Sequence, residues 1–175
     1  NASRQLRNAM AVEILECPGL FPTLLEIALK RSNPIGSRAC WIVEILCQKD
    51  LKILLPHIEA FIKGLPGVTC ESSIRPMAKV CECLCEAAAS VDTAGAVELA
   101  PKQRERLIEI CFDWLTGPHK VAPKAYSMRC LFLLGRDYPW VWEELKGVLL
   151  RYYGGSSPAY RARARQILKA LEKGG

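Results

Sequence analysis

Histidine is scarce: the 175 residues hold two, His57 and His119. That scarcity removes most of the imidazole chemistry on which general bases and metal centres rely. His57 lies in Pro56-His57-Ile58-Glu59, where Glu59 would project nearly opposite on a helix, and His119 follows the Gly117-Pro118 turn, so neither has a local partner set. A phosphate-cradling glycine loop of the P-loop or dinucleotide type is also missing, which excludes the usual nucleotide chemistry. Half the residues are hydrophobic, yet they never form an uncharged run of the ~18 residues a membrane span needs. No basic stretch followed by an apolar run and a small-residue cleavage site opens the sequence, so no secretory leader is expected. Alternating strand patterns are absent too.

What is present is helical and repeats. Val12-Glu13-Ile14-Leu15 returns 31 residues later as Val43-Glu44-Ile45-Leu46, each with an Arg five residues upstream (Arg7, Arg38). A recurrence at that spacing marks stacked helical units, none of which can bury its apolar side alone. Apolar periodicity predicts helices over 4–16, 22–31, 37–49, 51–64, 72–89, 101–116, 121–136, 139–153 and 158–173. Ala39, Ile42, Val43, Leu46 and Cys47 form one such stripe; Leu107, Ile110, Cys111, Trp114 and Leu115 form a second; Tyr160, Ala164, Ile167, Leu168 and Leu171 form a third. Pro18-Gly19, Asn33-Pro34-Ile35-Gly36, Gly64-Leu65-Pro66-Gly67, Gly117-Pro118 and Gly154 to Pro158 supply the turns. Pro22, Pro101 and Pro139 suit first-turn positions, Ser72 or Ser73 an N-cap with Pro76 in the first turn behind it. An irregular insertion is expected from about Ser90 to Ala100.

Nine cysteines could signal a disulfide scaffold, but the number is odd, the chain is long enough to build a core, and most of them fall on apolar stripes. They are expected to be free, buried and cytoplasmic. Cys81 and Cys85 would share a helix face with Cys83 turned away, and no second pair completes a zinc set, so no metal and no cofactor are expected.

The first helices of HEAT-like repeats resemble Arg38-Ala39-Cys40-Trp41-Ile42-Val43-Glu44-Ile45-Leu46 and Lys124-Ala125-Tyr126-Ser127-Met128-Arg129-Cys130-Leu131, with Arg75-Pro76-Met77-Ala78-Lys79-Val80-Cys81 as another instance. The resemblance implies an all-α, right-handed α–α superhelix of HEAT-like or armadillo type, about four helix pairs and a terminal helix, as one domain over 1–175. The chain is similar to a group of small bacterial HEAT-like proteins, some of which carry an adenylosuccinate lyase name. Ser72-Ser73-Ile74-Arg75-Pro76-Met77-Ala78-Lys79 echoes that enzyme's Ser-rich loop, but Met and Pro are displaced, Lys is one residue late and no Asn follows. No catalytic residue is therefore assigned.

Charge is uneven. Residues 1–118 carry 13 Lys and Arg against 14 Asp and Glu, whereas residues 119–175 carry 11 against 4. Such asymmetry suits an acidic partner or a solubilising end. In the repeat register, Ile42, Lys79, Arg129 and Arg163 occupy one equivalent position, and Arg161, Arg165 and Lys169 add to them. They are the candidate binding residues, alternatively an internal ladder bonding neighbouring repeats. Trp140 and Trp142, two residues apart, cannot both face inward and add an aromatic contact. Trp41 and Trp114 are read as core. The expected function is non-catalytic binding of a protein or peptide by a monomer or weak dimer. The alternatives are nucleic-acid binding, as in the HEAT-like DNA-alkylation-repair glycosylases, for which Asp113-Trp114 and Arg129 supply residue types, and, weakest, a lyase-like activity.

Overall fold

Prolines and polar caps mark most helix starts. The computed structural model describes residues 2–30, 33–90 and 97–174. Its helices are α1 (Ala2–Glu16), α2 (Phe21–Lys30), α3 (Pro34–Lys49), α4 (Ile58–Gly64), α5 (Glu71–Ala88), α6 (Pro101–Thr116), α7 (Val121–Leu134), α8 (Pro139–Tyr153) and α9 (Pro158–Gly174). The described residues are all-helical, without a strand, and none of their helices is long and apolar enough to cross a membrane. Asn33 caps α3 by accepting from the Gly36 amide at 2.9 Å, with Pro34 as first residue. Pro101 and Pro139 begin α6 and α8 in the same way. Most of the insertion expected at 90–100, residues 91–96, lies outside the described residues, as does Arg31 of the helix expected at 22–31.

Two local expectations need correction. The helix predicted over 51–64 is divided: Leu51–His57 winds as 3₁₀, opened by Asp50 accepting from the Lys52 amide, and α4 begins only at Ile58. Pro56 is the reason, because it has no N–H to donate and its ring collides with the carbonyl four residues back in an α-helix. Ser72 and Ser73 are not caps either. Helix α5 starts at Glu71, the Cys70 carbonyl accepts from the Ser73 and Ile74 amides at 2.8 and 3.0 Å, and Pro76 lies a turn further in. The two serines instead meet the Ser37 hydroxyl of α3, at 2.8 and 2.9 Å, and tie two helices together.

The chain divides into two compact units, Asn1–Cys83 and Leu84–Gly175, with the boundary inside α5. In the first, α3 packs against α1 and α2. Its predicted stripe, Ala39, Ile42, Val43, Leu46 and Cys47, is buried throughout. The repeated tetrapeptide differs in environment: Val43 is fully buried, whereas Val12 on α1 is 44% exposed. Another step of 31 residues lands on α5, where Ile74 and Met77 take the places of Val43 and Leu46 and are equally buried.

In the second unit α7 packs on α6, α8 and α9. The α6 stripe is buried, as are Tyr160, Ala164, Ile167 and Leu171 of α9, with Leu168 half-buried. Each such large apolar side chain contributes about 1.5–3 kcal/mol on burial. Of the nine cysteines, all free, six are buried, namely Cys40, Cys47, Cys81, Cys85, Cys111 and Cys130, which is the hydrophobe's role expected of them. Burial pushes the Cys40 thiol up to about 11, so it stays protonated.

Gly135, at the end of α7, lies against the Trp142 ring so closely that a Cβ there would collide with the indole Cδ1, whereas Gly147 on α8 faces open space. Alanine at the two positions is therefore expected to act with opposite signs. Gly135→Ala should lower stability by about 1–3 kcal/mol through overpacking. Gly147→Ala should raise it by about 0.5–1 kcal/mol through helix propensity. Denaturant unfolding of both variants checks this.

Candidate functional site

The helical period gathers one group of side chains before any tertiary contact is considered. Arg4, Arg7 and Asn8 share one face of α1, and Trp41, Glu44, Ile45 and Gln48 share one face of α3, both at spacings of three and four. Together with Lys49 and with Arg75 of α5 they line a pocket of about 500 Å³. All of it lies within the first unit.

Trp41 is its centre. The Arg7 guanidinium carbon lies 4.8 Å from the indole centroid and that of Arg75 lies 4.4 Å away. Each contact is worth about 0.5–1 kcal/mol at such partly exposed sites. Trp41 is thus a half-buried wall and not the core residue expected. An apolar helical position does not distinguish an indole packed on leucines from one covered by guanidiniums, which shield the ring while remaining hydrated at their edges.

Glu44, three residues on from Trp41 along α3, is 5% exposed. Arg75 Nη1 donates to its Oε2 at 3.0 Å and Oε1 at 3.4 Å, and Gln48 Nε2 donates to Oε1 at 3.4 Å. Burial pushes the Glu44 carboxyl above the ordinary carboxylate range, and the Arg75 charge partly offsets the rise. The lining therefore carries four cations against one carboxylate. Arg4, Arg7 and Lys49 make no ion pair among the described residues, and Arg7 Nε is buried without a hydrogen bond. Chemically the lining is a cluster of cations of which one is paired with a carboxylate, an arrangement able to receive an anion, and no nucleophile–base pair stands among its residues.

The residues singled out in the sequence are distributed elsewhere. Lys79 belongs to the first unit and donates to Glu82 on its own helix at 2.6 Å. Arg129 of α7 reaches Glu86 of α5 at 3.4 Å and lies 5.7 Å over the Phe132 ring. Trp142 donates its indole N–H to the Phe132 carbonyl at 2.8 Å and stacks on that ring, whereas Trp140 is 57% exposed and stacks on Phe112. The contrast between the two tryptophans follows their spacing. On α9, Arg161, Arg165 and Lys169 follow one flank at steps of four, and Arg163 falls on the other side of the buried Tyr160–Ala164–Ile167–Leu171 stripe. Arg165 donates from Nε and Nη2 to the Tyr153 hydroxyl at 3.3 and 3.2 Å. The stripe thus separates Arg163 from Arg161, Arg165 and Lys169.

Among the described residues no group of three His, Cys, Asp or Glu side chains could hold a metal ion. No family model, curated protein or solved structure matches this chain.

The raised Glu44 pKa fixes the sign of one pH effect. Its contribution to stability is present below the ordinary carboxylate range and is lost as pH rises through the raised value. Glu44→Gln keeps the amide oxygen as an acceptor for Arg75 and removes the titration. The melting temperature of the variant relative to wild type is therefore expected to rise from about pH 4 to about pH 7. A difference that stays flat across that range would contradict it.

Proposed function

We propose that the protein is a non-catalytic helical binding module of HEAT-like type that holds an acidic segment of a protein partner at the α1–α3–α5 pocket. The observation that carries this reading is the pair of guanidiniums stacked on Trp41 with unpaired cations beside them. A guanidinium held over a ring keeps in-plane N–H donors, and those other than the buried Arg7 Nε and the Glu44-bound Arg75 Nη1 are left for an acceptor, so the receptor is organised before the ligand arrives. The 31-residue step from Glu44 to Arg75 supports the repeat reading, because it brings equivalent positions of α3 and α5 to one opening.

Nucleic-acid binding is the second reading, supported by the Arg161, Arg165 and Lys169 flank of α9. The first unit favours it less. A base needs an open aromatic face, and the guanidiniums of Arg7 and Arg75 already cover Trp41.

Fluorescence anisotropy with a labelled oligoglutamate peptide and with a labelled duplex DNA separates the two. The peptide is expected to bind at low salt, and Arg7→Gln or Lys49→Gln should weaken it by about tenfold or more, the loss of a charge-assisted hydrogen bond. Peptide affinity indifferent to both substitutions would remove the pocket from the function. Tight DNA binding that falls steeply with salt and depends on Arg161 and Arg165 would put the second reading in its place.

A further inference from the structure

We propose that the α1–α3–α5 pocket is a phosphomonoester site, which takes the phosphoryl group of a phosphorylated serine or threonine on the partner. The inference rests on the reading of an acidic segment above and names the charged group that enters.

Charge and donor counts carry it. Arg75 and Glu44 satisfy one another at 3.0 Å, so their charges cancel within the wall. What remains is Arg4 and Arg7 on α1 and Lys49 at the end of α3, three cations that form no salt bridge among the described residues. A ligand carboxylate brings one negative charge and two oxygens, which one guanidinium satisfies in a bidentate pair. It would leave two cations facing each other across the pocket. A phosphomonoester brings a charge of about −1.5 to −2 and three acceptor oxygens, which matches three separate donors. A phosphodiester brings one charge on two free oxygens, and its flanking bases would need a stacking surface that Arg7 and Arg75 have taken on Trp41.

Geometry agrees with the count. Arg7 is held in place by its stack on Trp41, with its Nε buried and unpartnered, so its position is set by packing and not by a competing anion. Asn8 and Gln48 add neutral amides to the lining, suited to the ester oxygen and to the backbone around it. The pocket, at about 500 Å³, has room for a phosphorylated side chain and adjoining main chain.

The test uses the whole chain and three peptides of identical flanking sequence bearing phosphoserine, glutamate or serine at the centre. Inorganic phosphate serves as competitor and a single-stranded oligonucleotide as a further ligand. Titration calorimetry is expected to give phosphoserine about tenfold or more tighter binding than glutamate, no binding of the serine peptide, and displacement by inorganic phosphate. Arg7→Gln and Lys49→Gln should each abolish the preference for phosphoserine over glutamate. Arg7→Lys should fail to restore it, because an ammonium replaces neither the stack nor the fork of donors. Lys49 is exposed, so its variant keeps the test valid if an Arg7 variant does not fold.

Equal affinity for phosphoserine and glutamate peptides, both dependent on Arg7, would overturn the phosphoryl assignment and leave the acidic-segment reading standing. Absence of binding by either peptide would remove both. An oligonucleotide bound more tightly than the phosphoserine peptide, through the same residues, would overturn the monoester in favour of a phosphodiester.

Discussion

A carboxylate taken almost wholly out of water must be matched by a cation, and the first unit is arranged around that requirement. Glu44 is buried on α3, and the only described side chains that meet its oxygens are Arg75 and Gln48. Holding Arg75 there also lays its guanidinium on Trp41. One cation thus neutralises the buried charge, covers an indole that would otherwise face water, and connects α5 to α3. Removing Arg75 would leave Glu44 buried and unpaired, which is far more destabilising than the pair is stabilising. Arg7 completes the cover from α1. The serine contacts at the start of α5 fix the same two helices a little further along.

The helices were legible because their signals are local. Proline at a first position, glycine and proline at the turns, and stripes at three and four place nearly every boundary within a few residues. The exceptions have identifiable causes. Pro56 ends an α pattern that its neighbours would continue, and serine is as good a first-turn residue as a cap when a neighbouring helix offers it a hydroxyl partner. The pocket was not legible. Trp41 lies on an apolar face and reads as core, and Glu44 reads as an ordinary polar member of a repeated tetrapeptide. The missing clue was within reach: carrying the 31-residue step from Glu44 once more gives Arg75, its ion-pair partner. The register that grouped Ile42 with Lys79 passes over that residue.

In the second unit, aromatic rings and cations share a different arrangement. Phe132 receives the Trp142 ring on its own ring and the Trp142 N–H on its carbonyl, with the Arg129 guanidinium over the same ring and Glu86 at the far side of Arg129. A cation engaged in this way is partly spent on structure. The cations of α9 differ, since Lys169 is exposed, Arg161 is half-buried and Arg165 leans on Tyr153. Composition alone gives all of these residues equal weight; only packing separates the engaged from the available.

The uncovered outer side of α1 has a thermodynamic consequence. Leu6, Met10 and Val12 are exposed there, so this helix adheres through its inner side alone, and two of the cations that face the pocket ride on it. An anion held between Arg7 and α3, as proposed above, would fasten a helix that is otherwise held from one direction. Docking of α1 and occupancy of the pocket would then be linked equilibria, each tightening the other by the same free energy.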